Sequence, residues 1–144
     1  MLLGEYEHTI DDKNRLTLPA RFRAAFAEGV VVTRGLDDCL YAYPPAAWAG
    51  VVDRRLATLD TFSKESRRMQ RFFYAGAVEA ELDKQGRVTI PTALMSHAKL
   101  ERDVVVAGVN DHLEIWDRAA WQRELADVEG SAEDVAERLA AQSD

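Results

Sequence analysis

The chain carries one nine-residue motif twice, and this duplication constrains its fold more than any other feature. Asp-Asp-Lys-Asn-Arg-Leu-Thr-Leu-Pro occupies residues 11–19 and returns at 83–91 as Asp-Lys-Gln-Gly-Arg-Val-Thr-Ile-Pro. Asp, Arg, Thr and Pro recur at the same spacing, 72 residues apart in a chain of 144. Asp-Cys-Leu at 38–40 and Asp-His-Leu at 111–113, each followed by a tryptophan, form a second matched pair. The sequence therefore predicts two copies of one unit of about 70 residues.

Each copy of the unit is predicted to contain two strands, a short helix and two more strands. After the turn at 11–14, Arg15 and Thr17 alternate with leucines, which is the period-two pattern of a half-buried strand. Asn14 and Gly86 occupy the same place in the two turns. Both residue types tolerate a positive φ, so we expect both turns to use one.

Helical patterns are predicted between and after the two units. Apolar spacing predicts a helix over 46–59, and Ser63 is expected to cap a second one. A further helix is predicted over 118–128, after which Ser131 and Asp134 resemble a capping box for a last, weakly apolar helix. The predicted organisation has four parts: a first unit at 1–49, connecting helices at 50–76, a second unit with its helix at 77–128, and an acidic C-terminal tail at 129–144.

Short strands joined by tight turns, with small helices at the corners, predict a mainly β fold with additional helices. Neither unit has many strands, and each would leave exposed strand edges on its own. We therefore expect two half-barrels that close on each other about a pseudo-two-fold axis, so that the two Asp–Arg turns are symmetry mates.

The charge distribution leaves room for a nucleic-acid partner despite a formal net charge of −7. Residues 111–144 contain ten acidic residues and three arginines, whereas residues 1–110 contain fifteen acidic and fifteen basic residues. A basic face is therefore possible outside the tail. The single cysteine, Cys39, cannot form an internal disulfide and suits a reducing compartment. The first residues show neither a secretion signal nor a membrane span, so we expect a cytoplasmic protein.

The duplicated motif resembles a known DNA-binding unit. Asp-x-x-x-Arg at a hairpin, followed by aliphatic-Thr-aliphatic-Pro and a short helix, is similar to the AbrB-type swapped-hairpin unit. Two such units, with Asp-Lys-Asn-Arg-Leu-Thr-Leu-Pro-Ala-Arg-Phe-Arg at 12–23 and Leu-Glu-Ile-Trp at 113–116, resemble the bacterial MraZ family. The resemblance covers roughly residues 1–128, and Asn14 departs from it where glycine is more usual.

The resemblance implies a pseudo-two-fold swapped-hairpin β-barrel and a non-enzymatic, sequence-specific transcriptional regulator. Its implied partner is double-stranded DNA, in the form of short G-rich direct repeats upstream of the regulator's own cell-division and cell-wall gene cluster. It also implies self-association into a ring-like homo-oligomer, a location at the nucleoid, and no cofactor.

Arg15 and Arg87 are the candidate DNA-reading residues, because each begins a strand just after a turn. A guanidinium can read guanine O6 and N7 with two hydrogen bonds or bind a phosphate. The alternative is that each arginine only forms a salt bridge across its own turn. Four further cations could contact phosphates without specifying sequence: Lys13, Lys84, Arg21 and Arg23. Four residues are expected to shape and orient the turns: Asp11, Asp83, Asn14 and Gly86.

Other surface and aromatic features have simpler interpretations. A basic stripe on the second connecting helix is more typical of a solvated face, with a subunit interface as the next possibility; it comprises Lys64, Arg67, Arg68 and Arg71. Trp48 and Trp121 are at equivalent helical positions, which favours core packing over base stacking. Cys39 and His112 are also equivalent and are expected to be polar fillers, since no metal-ligand spacing accompanies them.

The sequence has features of two other functional classes. Asp11 and Asp83 form a symmetric carboxylate pair, but the basic residues that follow each would keep both ionised, whereas an aspartic-protease dyad shares a proton. The sequence also shows neither a phosphate-binding glycine loop nor a nucleophile elbow. We therefore expect no catalytic residue. The alternative function is an AbrB-type antitoxin-like module that binds a protein partner through the acidic tail.

Overall fold

The computed structural model describes residues 1–143, which form eight strands and several helical segments. The strands are β1 (Leu2–Thr9), β2 (Arg15–Thr17), β3 (Val30–Arg34), β4 (Leu40–Tyr43), β5 (Val78–Ala80), β6 (Arg87–Thr89), β7 (Asp103–Asn110) and β8 (Leu113–Asp117). The helices are a first corner helix (Ala20–Phe26), a first connecting helix (Pro45–Ala47, Trp48–Asp53 and Arg54–Ala57 in succession), a second connecting helix (Lys64–Gln70 and Arg71–Ala75), a second corner helix (Thr92–His97) and a C-terminal helix (Arg118–Gln142).

The strands form a six-stranded antiparallel sheet in the order β1-β7-β8-β4-β3-β5 and a separate two-stranded ribbon, β2-β6. The first strand of each unit pairs with the other unit, because β1 pairs with β7 and β5 pairs with β3. The ribbon is also shared, with one strand from each unit. The hairpins are thus exchanged between the units, so neither unit is complete alone.

The register places a pseudo-two-fold axis through the two shared pairings. In the ribbon, Leu16 pairs with Val88, its equivalent 72 residues later. In the sheet, Tyr41 pairs with Glu114, its equivalent 73 residues later. A pairing in which equivalent residues face each other arises only when the strands are related by a two-fold rotation. The duplication in the sequence is therefore a duplication in the structure.

The predicted closed barrel is wrong, because the six-stranded sheet does not close on itself. Among residues 1–143, β1 and β5 each have one partner strand and form the two edges of the sheet. A single bridge, Ile10 to Leu16, links the sheet to the ribbon. After each turn the chain leaves the sheet and pairs in the ribbon instead, so the ribbon covers one side of the core without joining the two edges.

The ribbon buries one face and exposes the other. Leu16, Leu18, Val88 and Ile90 are buried in the main core, where Phe26 packs with them. Each fully buried side chain of this size contributes about 1.5–3 kcal/mol relative to exposure. The buried face therefore fixes which side of the ribbon points to solvent.

The C-terminal region is one continuous helix, so the predicted capping box at Ser131 is wrong. Asp117 caps the helix at its true start by accepting a hydrogen bond from the Ala120 N–H at 3.0 Å. Ser131 lies inside the helix, and its hydroxyl donates to the Asp127 carbonyl at 2.7 Å. That bond to the preceding turn lets a serine remain in a helix interior. Residue 144 of the predicted tail lies outside the described residues.

The connecting helices lie close to their predicted places. Ser63 caps the second one, since its hydroxyl oxygen accepts a hydrogen bond from the Ser66 N–H at 3.4 Å. Among residues 1–143, no helix combines the length and apolar content needed to cross a bilayer.

Candidate nucleic-acid interface

Asp11 holds the first turn and its arginine at the same time. One carboxylate oxygen, Oδ1, accepts the backbone N–H groups of Lys13 and Arg15 at 3.0 and 2.8 Å. The other, Oδ2, accepts the Arg15 Nε–H at 2.7 Å. A backbone bond from the Asn14 N–H to the Asp11 carbonyl, at 3.0 Å, closes the turn. The carboxylate therefore shapes the turn and orients the guanidinium that leaves it.

Asp83 repeats this arrangement in the second turn. Its Oδ1 accepts the N–H groups of Gln85 and Arg87, both at 2.9 Å, and its Oδ2 accepts the Arg87 Nε–H at 2.7 Å. The pKa of each aspartate lies below its ordinary value, above all because the arginine backbone N–H donates to it. The side-chain bond from the same arginine adds to this, and together they outweigh the opposing effect of partial burial. Both carboxylates are therefore ionised near neutral pH.

Each turn contains one residue in the left-handed backbone conformation, Asn14 (φ 59°) in the first and Gly86 (φ 77°) in the second. Gly86 has a second requirement that the sequence does not show. A β-carbon added there would collide with Nε and Cδ of Arg23, which crosses over from the first unit. Arg23 has no counterpart in the second unit, where Met95 occupies its place. This contact adds a reason for glycine in the second turn that does not apply to the first.

Backbone hydrogen bonds across the antiparallel ribbon fix the two turns at its opposite ends. The Leu18 N–H donates to the Gly86 carbonyl at 2.9 Å, and the Ile90 N–H donates to the Asn14 carbonyl at 2.8 Å. Each turn is therefore held by the strand of the other unit. The turns cannot move independently without breaking the ribbon.

Arg15 and Arg87 lie on the same outer face of the ribbon. Arg15 pairs with Thr89 and Arg87 pairs with Thr17, while the intervening Leu16–Val88 pair faces the core. Diagonal neighbours on such a face are about 7–8 Å apart. The two arginine side chains are 30% and 28% exposed, so neither is buried.

The hydrogen-bonding capacity of the arginines is only partly used within residues 1–143. Arg15 bonds through Nε alone, and neither of its terminal nitrogens has a partner there. Arg87 adds only a long bond, 3.4 Å, from Nη2 to Oε1 of Gln85. The terminal N–H groups of both arginines can therefore donate to a ligand, with only Arg87 Nη2 engaged within residues 1–143, in the long bond to Gln85. Thr17 and Thr89 share the face but were not predicted as site residues, although the repeated Arg-x-Thr spacing contained the signal.

The other predicted cations differ in their exposure and in whether they already bond to the protein. Lys13 and Lys84 are exposed beside the turns. Arg21 donates to the Tyr6 hydroxyl and lies 5.8 Å from the centre of that ring. Arg23 is half-buried and donates to the Leu18 carbonyl at 3.0 Å. The two lysines and Arg23 lie at the turns, whereas Arg21 lies against Tyr6 of β1, and both arginines are already engaged with the protein.

The basic stripe of the second connecting helix lies on another part of the molecule and is not a uniform surface. Arg67 turns back and donates from Nη1 to the carbonyls of Thr61 and Phe62 at 3.0 and 2.9 Å. The remaining three cations are exposed: Lys64, Arg68 and Arg71.

His112 and Cys39 are not the polar fillers that their positions suggest. Cys39 is fully buried. His112 bonds through Nδ1 to Oδ1 of Asp111 at 2.6 Å and lies 3.6 Å from Oε2 of Glu114, with its ring stacked 4.8 Å from that of Tyr43. Burial disfavours the imidazolium, but the bonds to the two carboxylates outweigh it and raise the pKa of His112.

The tryptophans pack in equivalent aromatic pairs. Trp48 meets Tyr43 edge-on at 5.9 Å between ring centres, and Trp121 meets Trp116 in the same way at 5.7 Å. Residues 1–143 contain no group of three or more His, Cys, Asp or Glu side chains arranged to hold a metal ion.

Comparison with known proteins identifies the family. The family model described as “MraZ protein, putative antitoxin-like” matches this chain twice, over residues 1–72 and 73–142. The chain belongs to the MraZ family. The resemblance that the duplicated motif predicted is therefore confirmed, and each match to the family model contains one Asp–Arg turn.

Relatives in the MraZ family match nearly the whole chain. A protein of Roseiflexus castenholzii (strain DSM 13941 / HLO8) is 47% identical over 140 residues, 97% of each chain. One of Caldanaerobacter subterraneus subsp. tengcongensis is 46% identical over 139 residues, 96% of each chain. One of Limosilactobacillus fermentum is 52% identical over 121 residues, 84% of each chain. All three are named transcriptional regulator MraZ, a role that is not enzymatic.

Proposed function

We propose that this chain is a transcriptional regulator that binds double-stranded DNA with sequence specificity through the outer face of the β2–β6 ribbon. The observation that carries the proposal is the pair of guanidinium groups on that face. Each is fixed through Nε by its own carboxylate, and its terminal N–H groups are free within residues 1–143 apart from the long bond of Arg87 Nη2 to Gln85. Two parallel N–H donors match the O6 and N7 acceptors of guanine.

The shape of the ribbon supports docking in the major groove. That groove is about 12 Å wide and admits a two-stranded β-ribbon. The inner face of β2–β6 is committed to the core, so the arginines and threonines of its outer face are the groups that would meet base edges. Lys13 and Lys84 are exposed at the turns beside this face and would contact phosphates, which position a protein without specifying sequence. Arg21 and Arg23 would add such contacts only by leaving their present partners, Tyr6 and the Leu18 carbonyl.

The proposed targets are short G-rich direct repeats upstream of the protein's own cell-division and cell-wall gene cluster. Self-association into a ring-like homo-oligomer would present several arginine pairs to successive repeats. Weak single contacts would then multiply through effective concentration. The proposed location is the cytoplasm, at the nucleoid.

The test is fluorescence anisotropy with the duplex that lies directly upstream of the protein's own gene. We expect Arg15→Ala and Arg87→Ala each to weaken binding about 5- to 150-fold, the loss associated with one bidentate base contact. Arg138→Ala, an exposed arginine on the C-terminal helix, removes the same charge elsewhere and serves as the control. Circular dichroism and oligomer size should not change. Parental affinity in both ribbon variants would make the arginines purely structural.

The second candidate is an antitoxin-like role in which the C-terminal helix binds a protein partner. The description of the family model favours it, as does the long exposed acidic surface of that helix beyond Asp127. A chain truncated at Asp127 should then lose binding to a purified protein encoded beside its gene and keep its affinity for DNA. The Arg15→Ala and Arg87→Ala variants should keep their binding to that protein and lose affinity for DNA. Unchanged protein binding after truncation would remove this candidate.

A further inference from the structure

Phe62 is held in solvent by a well-bonded turn. Its side chain is 93% exposed, and no large apolar side chain in residues 1–143 is more exposed. The Phe62 N–H donates to Oδ1 of Asp60 and the Ser63 N–H to the Asp60 carbonyl, both at 3.0 Å. Arg67 holds the carbonyls of Thr61 and Phe62 from the other side. A large apolar side chain presented in a fixed position is the form that an interface anchor takes.

Free positive charges follow Phe62 on the second connecting helix. Lys64, Arg68 and Arg71 are spaced by four and three residues, so they share one helix face. All three are exposed, and none has an ion-pair partner within residues 1–143. We call Phe62 and these three residues the Phe62 knob. It combines an apolar tip with a basic flank.

A groove of complementary character lies at the β5 edge of the sheet. The cavity measures about 620 Å³, and its walls include Val31, Pro45 and the Trp48 ring. Three exposed carboxylates also line it and have no ion-pair partner within residues 1–143: Glu28, Glu79 and Glu81. We call it the Trp48 groove. It offers an apolar floor and an acidic rim beside an open strand edge.

The pseudo-symmetric position in the second unit has a smaller cavity. There Trp121 and Glu7 take the places of Trp48 and Glu79. That cavity measures about 240 Å³, and Leu125 of the C-terminal helix forms part of its wall. The Trp48 groove is therefore the larger of the two equivalent cavities.

We infer that the Phe62 knob of one copy seats in the Trp48 groove of the next copy. This rests on the self-association contained in the proposed function and names the two surfaces that carry it. The Phe62 ring would pack on the Trp48 wall, while the basic flank would neutralise the acidic rim. Because the two surfaces differ, the contact is head-to-tail and generates a ring when the rotation closes.

A charge swap tests the contact by native mass spectrometry and analytical ultracentrifugation. Lys64→Glu with Arg68→Glu reverses the net charge of the knob, and Glu79→Lys with Glu81→Lys reverses the net charge of the rim. Each double variant alone should dissociate, because both surfaces then carry the same sign. An equimolar mixture of the two variants should reassemble with the variants alternating. The acidic knob of one then meets the basic rim of the other, and the basic knob of the second meets the acidic rim of the first. Arg123→Glu with Arg138→Glu, on the C-terminal helix, makes the same charge change as the knob variant and should stay assembled.

Phe62→Asp gives an independent test, because this side chain is too exposed to support the fold. The variant should dissociate with an unchanged circular dichroism spectrum. It should still bind a duplex containing one repeat like the parent, but lose the avidity gain on several repeats, on the order of 10²- to 10⁴-fold.

The inference is overturned if Phe62→Asp and both charge-reversed variants assemble like the parent, or if the mixture fails to reassemble. DNA binding is read separately on the single-repeat duplex. Failure of the parent to bind that duplex would remove the proposed function without bearing on the knob and groove.

Discussion

Replacing Asp11 and Asp83 by asparagine separates the shaping of the turn from the orientation of the arginine. Oδ1 accepts two backbone N–H groups in each turn, and the amide oxygen of asparagine can keep both bonds. Oδ2 accepts the arginine Nε–H at 2.7 Å, but the amide nitrogen that replaces it is a donor and cannot accept. The variant should therefore retain the turn and release the guanidinium.

Two effects on DNA affinity then oppose each other. Each substitution removes one negative charge, which favours DNA, although salt screens exposed charges over about 8 Å at physiological ionic strength. A released arginine must be ordered again on binding, which weakens affinity roughly 2- to 12-fold per side chain. The cost of ordering the released arginines should exceed the gain in affinity from removing two screened negative charges. We expect the double variant to bind roughly 5- to 140-fold more weakly if the two turns act independently.

Anisotropy on the upstream duplex at two salt concentrations measures this loss. The matched control is Asp127→Asn with Asp134→Asn, which removes two exposed carboxylates from the C-terminal helix. The control should bind slightly more tightly than the parent, because its net charge rises equally. If the Asp11→Asn, Asp83→Asn chain also gains affinity, by the same factor as the control, the carboxylates do not orient the arginines and the reasoning is refuted.

Four further predictions concern the ribbon and the sheet. Arg15→Lys and Arg87→Lys keep the charge but not the planar pair of donors, so competition assays should show discrimination against a mutated repeat falling about 5- to 150-fold. Lys84→Ala should reduce the slope of log affinity against log salt by about 0.9 and leave sequence preference intact. His112 has a raised pKa, so its charged interactions stabilise the fold below its ordinary pKa of 6.5 and are lost as pH rises through the raised value. His112→Gln should therefore lower the melting temperature more at pH 5.5 than at pH 8.5. Leu16→Ala should cost about 2–5 kcal/mol in urea unfolding, because Leu16 is fully buried at the centre of the ribbon.

The sequence predicts the exchanged hairpins better than it predicts the closure of the sheet. A repeat of Asp, Arg, Thr and Pro at fixed spacing reports local turn and strand chemistry, and that chemistry recurs in both turns. Whether β1 meets β5 depends on how the units sit against each other, which no local pattern encodes. Ser131 shows the same limit on a smaller scale. Its type suggests a cap, but a hydrogen bond to the preceding turn keeps it inside a continuous helix.

The sequence also does not predict the contacts between the two units. Gly86 reads as a turn residue, yet Arg23 of the other unit also excludes a side chain there. His112 reads as a lone polar residue, whereas the fold stacks it on Tyr43 across the central strands of the sheet. The positions of the two arginines could be predicted, because alternation alone places Arg15 and Arg87 on the outer faces of their strands. That both arginines share one face required the ribbon.

The departures from two-fold symmetry bear on the kind of DNA site that the proposed interface would read. A symmetric protein surface matches a palindromic site, because the half-sites mirror the protein's own axis. Here the axis relates Arg15 to Arg87, but the flanking charges do not obey it. Arg23 lies against the second turn, beside Lys84, Glu28 and Glu81. The position equivalent to Lys84 in the first turn is Asp12, and the position equivalent to Lys13 in the second turn is Gln85. The two ends of the ribbon therefore differ in the charged groups beside their arginines. Under the proposed function, a face with unlike ends would distinguish the two orientations of a site, which is what recognition of direct repeats requires and recognition of inverted repeats does not.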